Sequence, residues 1–252
     1  MVNGSQMTIE FHVDDIMSSH KDPKFNDDFL KFPNDKCGQH NEAQATRGFT
    51  HDCLGMKFVF EDGKLEVDMV ACLKSVLEEF PFKFDGEKIV PSPAATDMFE
   101  PETGKYLETK KRELFHRTTA QALFLSERAR PDAQPIVSAL CARVKQPTER
   151  AFSKLVRMMK YLTHAVNDTL TSSIGDGVNK LEWFIDASFA VHPDFRSHTG
   201  PTSGFGGGLG SPINESLKQK LNTDGSTASG GASRFTRCTV GEVVFGGTRT
   251  FN

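Results

Sequence analysis

Apolar and polar side chains alternate from Met7 to Val13, and this pattern constrains the fold of the N-terminal part of the chain more than any other feature. A period of two residues is that of a β-strand with one face buried. Two adjacent carboxylates, Asp14 and Asp15, follow directly. Such a pair is either a solvated turn or a ligand pair for Mg²⁺, which takes one or two carboxylates together with substrate phosphates.

The segment after this strand is polar up to residue 48, and a second β-hairpin is predicted around Gly55 and Gly63. Residues 65–80 then have apolar side chains at helical spacing, which predicts a helix. Prolines from residue 81 to residue 101 predict a loop.

Residues 110–164 have the pattern of three helices. Pro131 separates the first from the second, and Asp132 is the predicted N-cap of the second. Pro147 is predicted to open the third helix, because proline is tolerated in a first turn.

A further strand is predicted from Leu181 to Asp186. Leu181, Trp183 and Ile185 share one face of it, so Asp186 projects from the other face near the strand's end. Residues 196–200 are predicted to turn into the next strand.

Composition and cysteine usage favour a reducing compartment. No apolar run approaches the ~18 residues that span a bilayer, and residues 1–6 lack the basic and apolar parts of a secretory signal. The five cysteines form no Cys-x-x-Cys pair, which argues against a disulfide framework and a zinc ribbon. We therefore expect an intracellular protein, cytoplasmic or nuclear, with no membrane partner.

The net charge of −3 hides a strong asymmetry. Residues 9–100 contain 19 acidic residues and 10 Lys or Arg, which gives a net charge of −9. Residues 105–164 contain 5 acidic residues and 13 Lys or Arg, which gives a net charge of +8. A basic excess of this kind is typical of a nucleic-acid-facing surface or of solvated helix faces. In the third predicted helix Arg150, Lys154 and Arg157 share one face, and this basic ridge could follow a phosphate backbone.

Five short motifs in sequence order resemble those of copia-type retrotransposon polyproteins, in the region of their reverse transcriptase and RNase H. The first is Phe-His-Val-Asp-Asp, similar to the metal-binding hairpin of reverse transcriptases. The others contain a Leu-Gly-Met hairpin, an Arg-Pro-Asp block, a Tyr-Leu block and an Asp-Ala block. The motifs lie at residues 11–15, 51–56, 114–132, 157–162 and 186–190.

This resemblance implies an α+β fold in three parts. Residues 1–100 would be the last palm hairpins and thumb of the reverse transcriptase, residues 101–170 a helical connection, and residues 178–252 a truncated RNase H-like α/β domain with a glycine-rich tail. It implies catalytic and metal-binding roles for Asp14, Asp15 and Asp186 with Mg²⁺. The implied partners are an RNA–DNA hybrid or single-stranded nucleic acid, and the N-terminal part of the polyprotein.

The chain departs from the family pattern at both predicted sites. A reverse transcriptase palm holds its metals with a third carboxylate from a strand well upstream of the Asp-Asp hairpin, and residues 1–13 contain no such strand. The RNase H pattern requires glutamates where Ala228 and Gly230 stand. We therefore expect a polymerase and RNase H fragment that is inactive alone. The alternatives are a non-catalytic nucleic-acid-binding remnant using helices 110–164, or a relic interaction module.

Overall fold

The computed structural model describes residues 2, 4–13, 15–39, 42–84, 86, 88–98, 100 and 104–173, and the backbone of four later strands. Helices and antiparallel sheets are both present, which confirms the mixed α+β class. The expected glycine-rich tail beyond residue 212 lies outside the described residues, apart from its last strand.

The N-terminal elements are a hairpin followed by a helix. Strands β1 (Thr8–His12) and β2 (Asp15–Ser19) pair in antiparallel register, with His12 opposite Asp15. Helix α1 (Pro23–Cys37) follows. The sequence interpretation missed this helix within its polar stretch, although Asp22 accepts a hydrogen bond from the Lys24 N–H and Pro23 stands in the first turn, both ordinary helix-start signals.

A four-stranded antiparallel sheet comes next, in the order β3-β4-β5-β6. Its strands are β3 (Thr50–Cys53), β4 (Met56–Glu61), β5 (Lys64–Asp68) and β6 (Leu170–Ser173). The predicted second hairpin is confirmed, with two-residue turns at Leu54-Gly55 and Asp62-Gly63 in which all four φ angles are positive. Such turns match the twist of the flanking strands.

The predicted helix at residues 65–80 is shorter than expected. Residues 64–68 form β5, and helix α2 spans Val70–Glu79. The Asp62-Gly63 turn folds β5 back onto β4, so Leu65 and Val67 follow the strand period and not a helical one.

The three predicted helices at residues 110–164 are confirmed as α3 (Thr109–Ser126), α4 (Gln134–Cys141) and α5 (Glu149–His164). Two details were wrong. Asp132 lies in a 3₁₀ turn (Pro131–Ala133) and does not cap α4, since its carboxylate binds Arg130. Pro147 precedes the helix that it was predicted to open, because Thr148 is the N-cap of α5 and accepts from the Ala151 N–H.

One apolar cluster joins the sheet to the helices. It contains residues from β5 and α2, such as Val67 and Leu73, together with residues of α3, α4 and α5. Phe115 and Leu155 are completely buried within it. The pairing of β6 with β5 returns the chain to this sheet after α5.

The last described elements form a second four-stranded antiparallel sheet, in the order β10-β7-β8-β9. Strand β7 (Leu181–Ser188) is the predicted strand, and β8 (His198–Phe205) begins where residues 196–200 were predicted to turn. The sheet is completed by β9 (Gly208–Pro212) and β10 (Thr236–Thr239).

Candidate metal site and nucleic-acid interface

The Asp-Asp pair stands at the turn between β1 and β2. Asp15 is the first residue of β2, whereas Asp14 lies outside the described residues. Val13, which begins the turn, has a φ of 56°. This left-handed conformation is unusual for a β-branched residue. Strain of this kind concentrates at turns and functional sites.

The carboxylate of Asp15 binds the backbone of the second hairpin. Its Oδ2 accepts a hydrogen bond of 2.9 Å from the N–H of Leu54, 39 positions away. Leu54 has a φ of 55°, so the bond holds a strained turn. A hydrogen bond to an ionised acceptor is stronger than a neutral one. Asp15 therefore links the first two hairpins of the chain.

The thiol of Cys53 lies beside this link. Burial raises the pKa of Cys53, and the negative charges of Asp15 and Glu10 raise it further. The raised pKa favours the neutral thiol beside these two carboxylates.

A magnesium site needs more ligands than the described residues bring together. Among them, no group of three His, Cys, Asp or Glu side chains is placed to hold a metal ion. Asp186 lies on β7 opposite Gly200, in a different sheet from the Asp15 hairpin, and its side chain is outside the described part of the chain. Asp15 is thus the one predicted ligand whose carboxylate the structure describes.

The predicted basic ridge contacts an acidic segment. Arg150 forms ion pairs with Asp97, at 3.1 Å, and with Glu100. Lys154 is buried, and its ammonium donates a hydrogen bond of 3.2 Å to the carbonyl of Met98. The hydrogen bond from Arg150 lowers the pKa of Asp97, outweighing a rise from burial. Residues 97, 98 and 100 thus form an acidic strap across the ridge.

Arg157 completes the ridge one turn further along α5. It is half-buried, and its Nε is enclosed by protein. The phosphate-binding role of the ridge stays a prediction. To bind phosphate, Arg150 and Lys154 would first have to break their contacts with the acidic strap. The sequence feature that could have indicated the strap is the pair of acids Asp97 and Glu100, which lie three positions apart in the proline-rich segment.

A buried ionic network joins the Arg-Pro-Asp and Tyr-Leu motifs. The guanidinium of Arg130 binds both carboxylate oxygens of Asp132, at 3.0 and 2.7 Å, and donates to the carbonyl of Ala165 at 2.7 Å. The hydroxyl of Tyr161 donates to Asp132 at 2.9 Å. Motif order alone did not show this contact, because it depends on how α5 packs beside the 3₁₀ turn.

No described helix combines the length and apolar character needed to cross a membrane. Comparisons of the chain with protein-family models, with curated proteins and with solved structures found no match.

Proposed function

We propose that this chain is the C-terminal reverse transcriptase and RNase H region of a copia-type retrotransposon polyprotein. In this proposal Asp14 and Asp15 serve RNA-directed DNA synthesis, and Asp186 serves cleavage of the RNA–DNA hybrid. Both reactions would use Mg²⁺, which accepts carboxylate and phosphate oxygens as ligands. Residues 1–252 by themselves would be inactive.

The observation that supports the proposal is that motifs far apart in sequence contact each other. Asp15 of the Asp-Asp motif binds Leu54 of the Leu-Gly-Met motif. In the Arg-Pro-Asp motif, Asp132 accepts a hydrogen bond from Tyr161 of the Tyr-Leu motif. Arg130 donates to the carbonyl of Ala165, at the end of α5. The fold thus brings the first motif to the second and the third motif to the fourth.

The reason for expecting inactivity is geometric. A two-metal site clamps the attacking and leaving oxygens, and its ligands must be held to within ~0.5 Å. Two neighbouring acids on one hairpin supply part of such a site. The remaining carboxylate would have to come from another segment.

Primer extension on an RNA template with Mg²⁺ or Mn²⁺ tests this proposal. Residues 1–252 alone should extend no primer. A chimera in which the fingers and upstream palm of a copia-type reverse transcriptase precede residue 7 should extend it, after circular dichroism has shown that the chimera is folded. A folded chimera without activity would contradict the family assignment, and extension by residues 1–252 that is lost in Asp14→Asn would contradict the inactivity.

A second candidate function is non-catalytic binding of nucleic acid by the helices of residues 110–164. The observation that favours it is a set of exposed cations on α3, namely Lys110, Arg112 and Arg117. Phosphate contacts of this kind carry little sequence information. We expect an RNA–DNA hybrid to bind with an affinity that falls steeply with salt.

The acidic strap gives this candidate a sharp test. Asp97→Asn with Glu100→Gln should uncover Arg150, tighten binding, and steepen the plot of log K against log[salt] by about one unit for each new phosphate contact. Fluorescence anisotropy with a labelled hybrid measures both quantities. The matched control is Asp27→Asn with Asp28→Asn, which removes two acids that pair with Arg47 and Lys31.

The control separates a local effect from a change of net charge. Equal gains in the two double variants would mean that only overall charge matters, and the basic helices would then hold no defined site. A chain that binds no hybrid at low salt would rule the candidate out.

A further inference from the structure

Two exposed aromatic rings lie on the part of the molecule that surrounds the basic helices. The side chain of Tyr106 is 62% exposed and that of Phe82 is 45% exposed. The backbone at Tyr106 is fixed, because it forms a β-bridge with Thr148 and the N–H of Leu107 donates to the carbonyl of Pro147 at 3.0 Å. An exposed ring on a fixed backbone offers a flat face on which another aromatic group can stack.

A continuous series of contacts joins the two rings. The ring of Phe82 packs edge to face against that of Phe152, with 6.0 Å between the ring centres. The ammonium of Lys111 lies 4.3 Å from the centre of the Phe152 ring and pairs with Glu149. The N–H of Glu149 donates at 3.0 Å to the carbonyl of the residue before Tyr106. Tyr106 and Phe82 therefore lie at the two ends of one surface.

A cavity opens beside Phe82, at one end of this surface. Its volume is about 290 Å³, close to the lower limit of pockets that enclose small ligands, about 300 Å³. Apolar and charged side chains line it together, among them Leu77, Phe82, Phe84, Lys74, Glu78 and Lys83. The ammonium of Lys83 donates to three carbonyls at the end of α2. That of Lys74 has no ion-pair partner among the described residues. The cavity thus places an aromatic wall beside a cation.

The two segments that meet at the Tyr106 end carry an excess of positive charge. Residues 104–117 and 143–149 together contain seven Lys or Arg and three acidic residues, a net charge of +4. Lys105 and Lys110 are exposed, and their ammonium groups form no ion pair within the described part of the chain. Cations of this kind attract phosphate, and aromatic rings beside them stack on bases of any sequence.

We propose that this surface, which we call the aromatic track and which runs from Tyr106 over Lys111 to Phe82 and its cavity, binds single-stranded nucleic acid by base stacking. One base stacks on Tyr106 and another enters the cavity against Phe82, while the lysines contact phosphates. A single strand is the ligand because the bases of a duplex stack on each other and leave no face free for a protein ring. The inference rests on the second candidate function, since it names the form of nucleic acid that the basic helices bind.

Substitution of the two rings tests the stacking. Tyr106→Leu and Phe82→Leu should each weaken the binding of an oligothymidine strand at least about fivefold, and should change the affinity for an RNA–DNA hybrid much less. Tyr106→Phe and Phe82→Tyr keep a ring and should bind like the wild type. The matched control is Phe49→Leu, which removes an equally exposed ring, 62%, from the residue before β3. Fluorescence anisotropy measures the affinities, and circular dichroism shows that each variant is folded.

A tryptophan at position 106 reports the stacking directly. Tyr106→Trp in a Trp183→Phe background makes the new indole the single one in the chain. Its emission should be quenched when oligothymidine binds. A strand of abasic deoxyribose phosphates carries the same charge without bases, so it should bind more weakly and quench little.

Failure of the inference is distinguishable from failure of the candidate function. A chain that binds neither the strand nor the hybrid at low salt would rule out both. A chain that binds oligothymidine equally well in both Leu variants, or that loses as much affinity in Phe49→Leu, would overturn the inference alone. Equal affinity for the abasic strand would also overturn it, because phosphate contacts would then explain all of the binding.

Discussion

Replacing Asp132 with Ala should lower the free energy of unfolding by about 3 kcal/mol, because it leaves the buried guanidinium of Arg130 without its counter-ion. Arg130 is only 4% exposed, and both carboxylate oxygens of Asp132 accept hydrogen bonds from its guanidinium. The side chain of Asp132 is 34% exposed, which places the expected loss at the lower end of the range for buried pairs. Urea unfolding followed by circular dichroism at 222 nm measures the loss.

Two controls separate the buried charge from the mere loss of an ion pair. Asp28→Ala removes the exposed pair with Lys31 and should lower the free energy of unfolding much less than Asp132→Ala does. The double variant Arg130→Met with Asp132→Leu removes both charges and should be more stable than Asp132→Ala. If the double variant is less stable than Asp132→Ala, the ion pair itself stabilises the fold, and the buried charge of Arg130 does not explain the loss.

The same network predicts how stability depends on pH. Burial by itself would raise the pKa of Asp132, but the hydrogen bonds and positive charge of Arg130, together with the Tyr161 hydroxyl, lower it below its usual value. Because the pKa of Asp132 is lower in the folded protein than in the unfolded chain, where it is about 3.9, the ionised carboxylate stabilises the fold at pH values above 3.9. This contribution is lost as the pH falls through the pKa of the folded protein. The stability difference between wild type and Asp132→Asn should therefore be constant above about pH 5 and narrow below about pH 4.

Replacing Phe115 with Ala should lower the free energy of unfolding by about 3–5 kcal/mol, because it opens a cavity in the core that joins α3 to the other helices. Phe115 is completely buried. The cost adds the lost transfer free energy of the ring to the lost contacts around the cavity. The measurement is again urea unfolding.

Phe124 on the same helix is the matched control. Its ring is 37% exposed and packs against the guanidinium of Arg128, with the ring centre 3.9 Å away. An exposed cation–π contact contributes about 0.5–1 kcal/mol, so Phe124→Ala should cost much less than Phe115→Ala. Equal losses in the two variants would mean that α3 does not pack as the structure has it.

The local elements of this chain were largely predictable from neighbouring residues. Alternating side chains indicated β1, β4 and β7, and helical spacing indicated α3, α4 and α5. The helix at Pro23–Cys37 was missed because its apolar residues form no buried stripe, so its start signals alone identify it. The boundary at residues 64–70 was wrong because a strand bounded by a tight turn can share the apolar pattern of a helix over one turn.

The roles of the charged residues were not predictable in this way. Spacing placed Arg150 and Lys154 on one helix face, but the strap residues that these side chains bind lie 50 to 56 positions away. The same holds for Asp15, whose acceptor role toward Leu54 depends on two hairpins meeting. A periodicity reports which residues share a surface and carries no information about what covers that surface.

The sequence by itself determined the α+β class, the Asp-Asp hairpin and the order of the motifs, because these depend on side-chain period and turn chemistry within a few residues. Only the tertiary structure decided that the acidic strap contacts Arg150 and Lys154 of the basic ridge, that Asp132 neutralises Arg130 and does not cap a helix, and that Asp15 links the first two hairpins. Those outcomes depend on long-range packing, in which a charged group takes the partner that the fold brings within hydrogen-bonding distance.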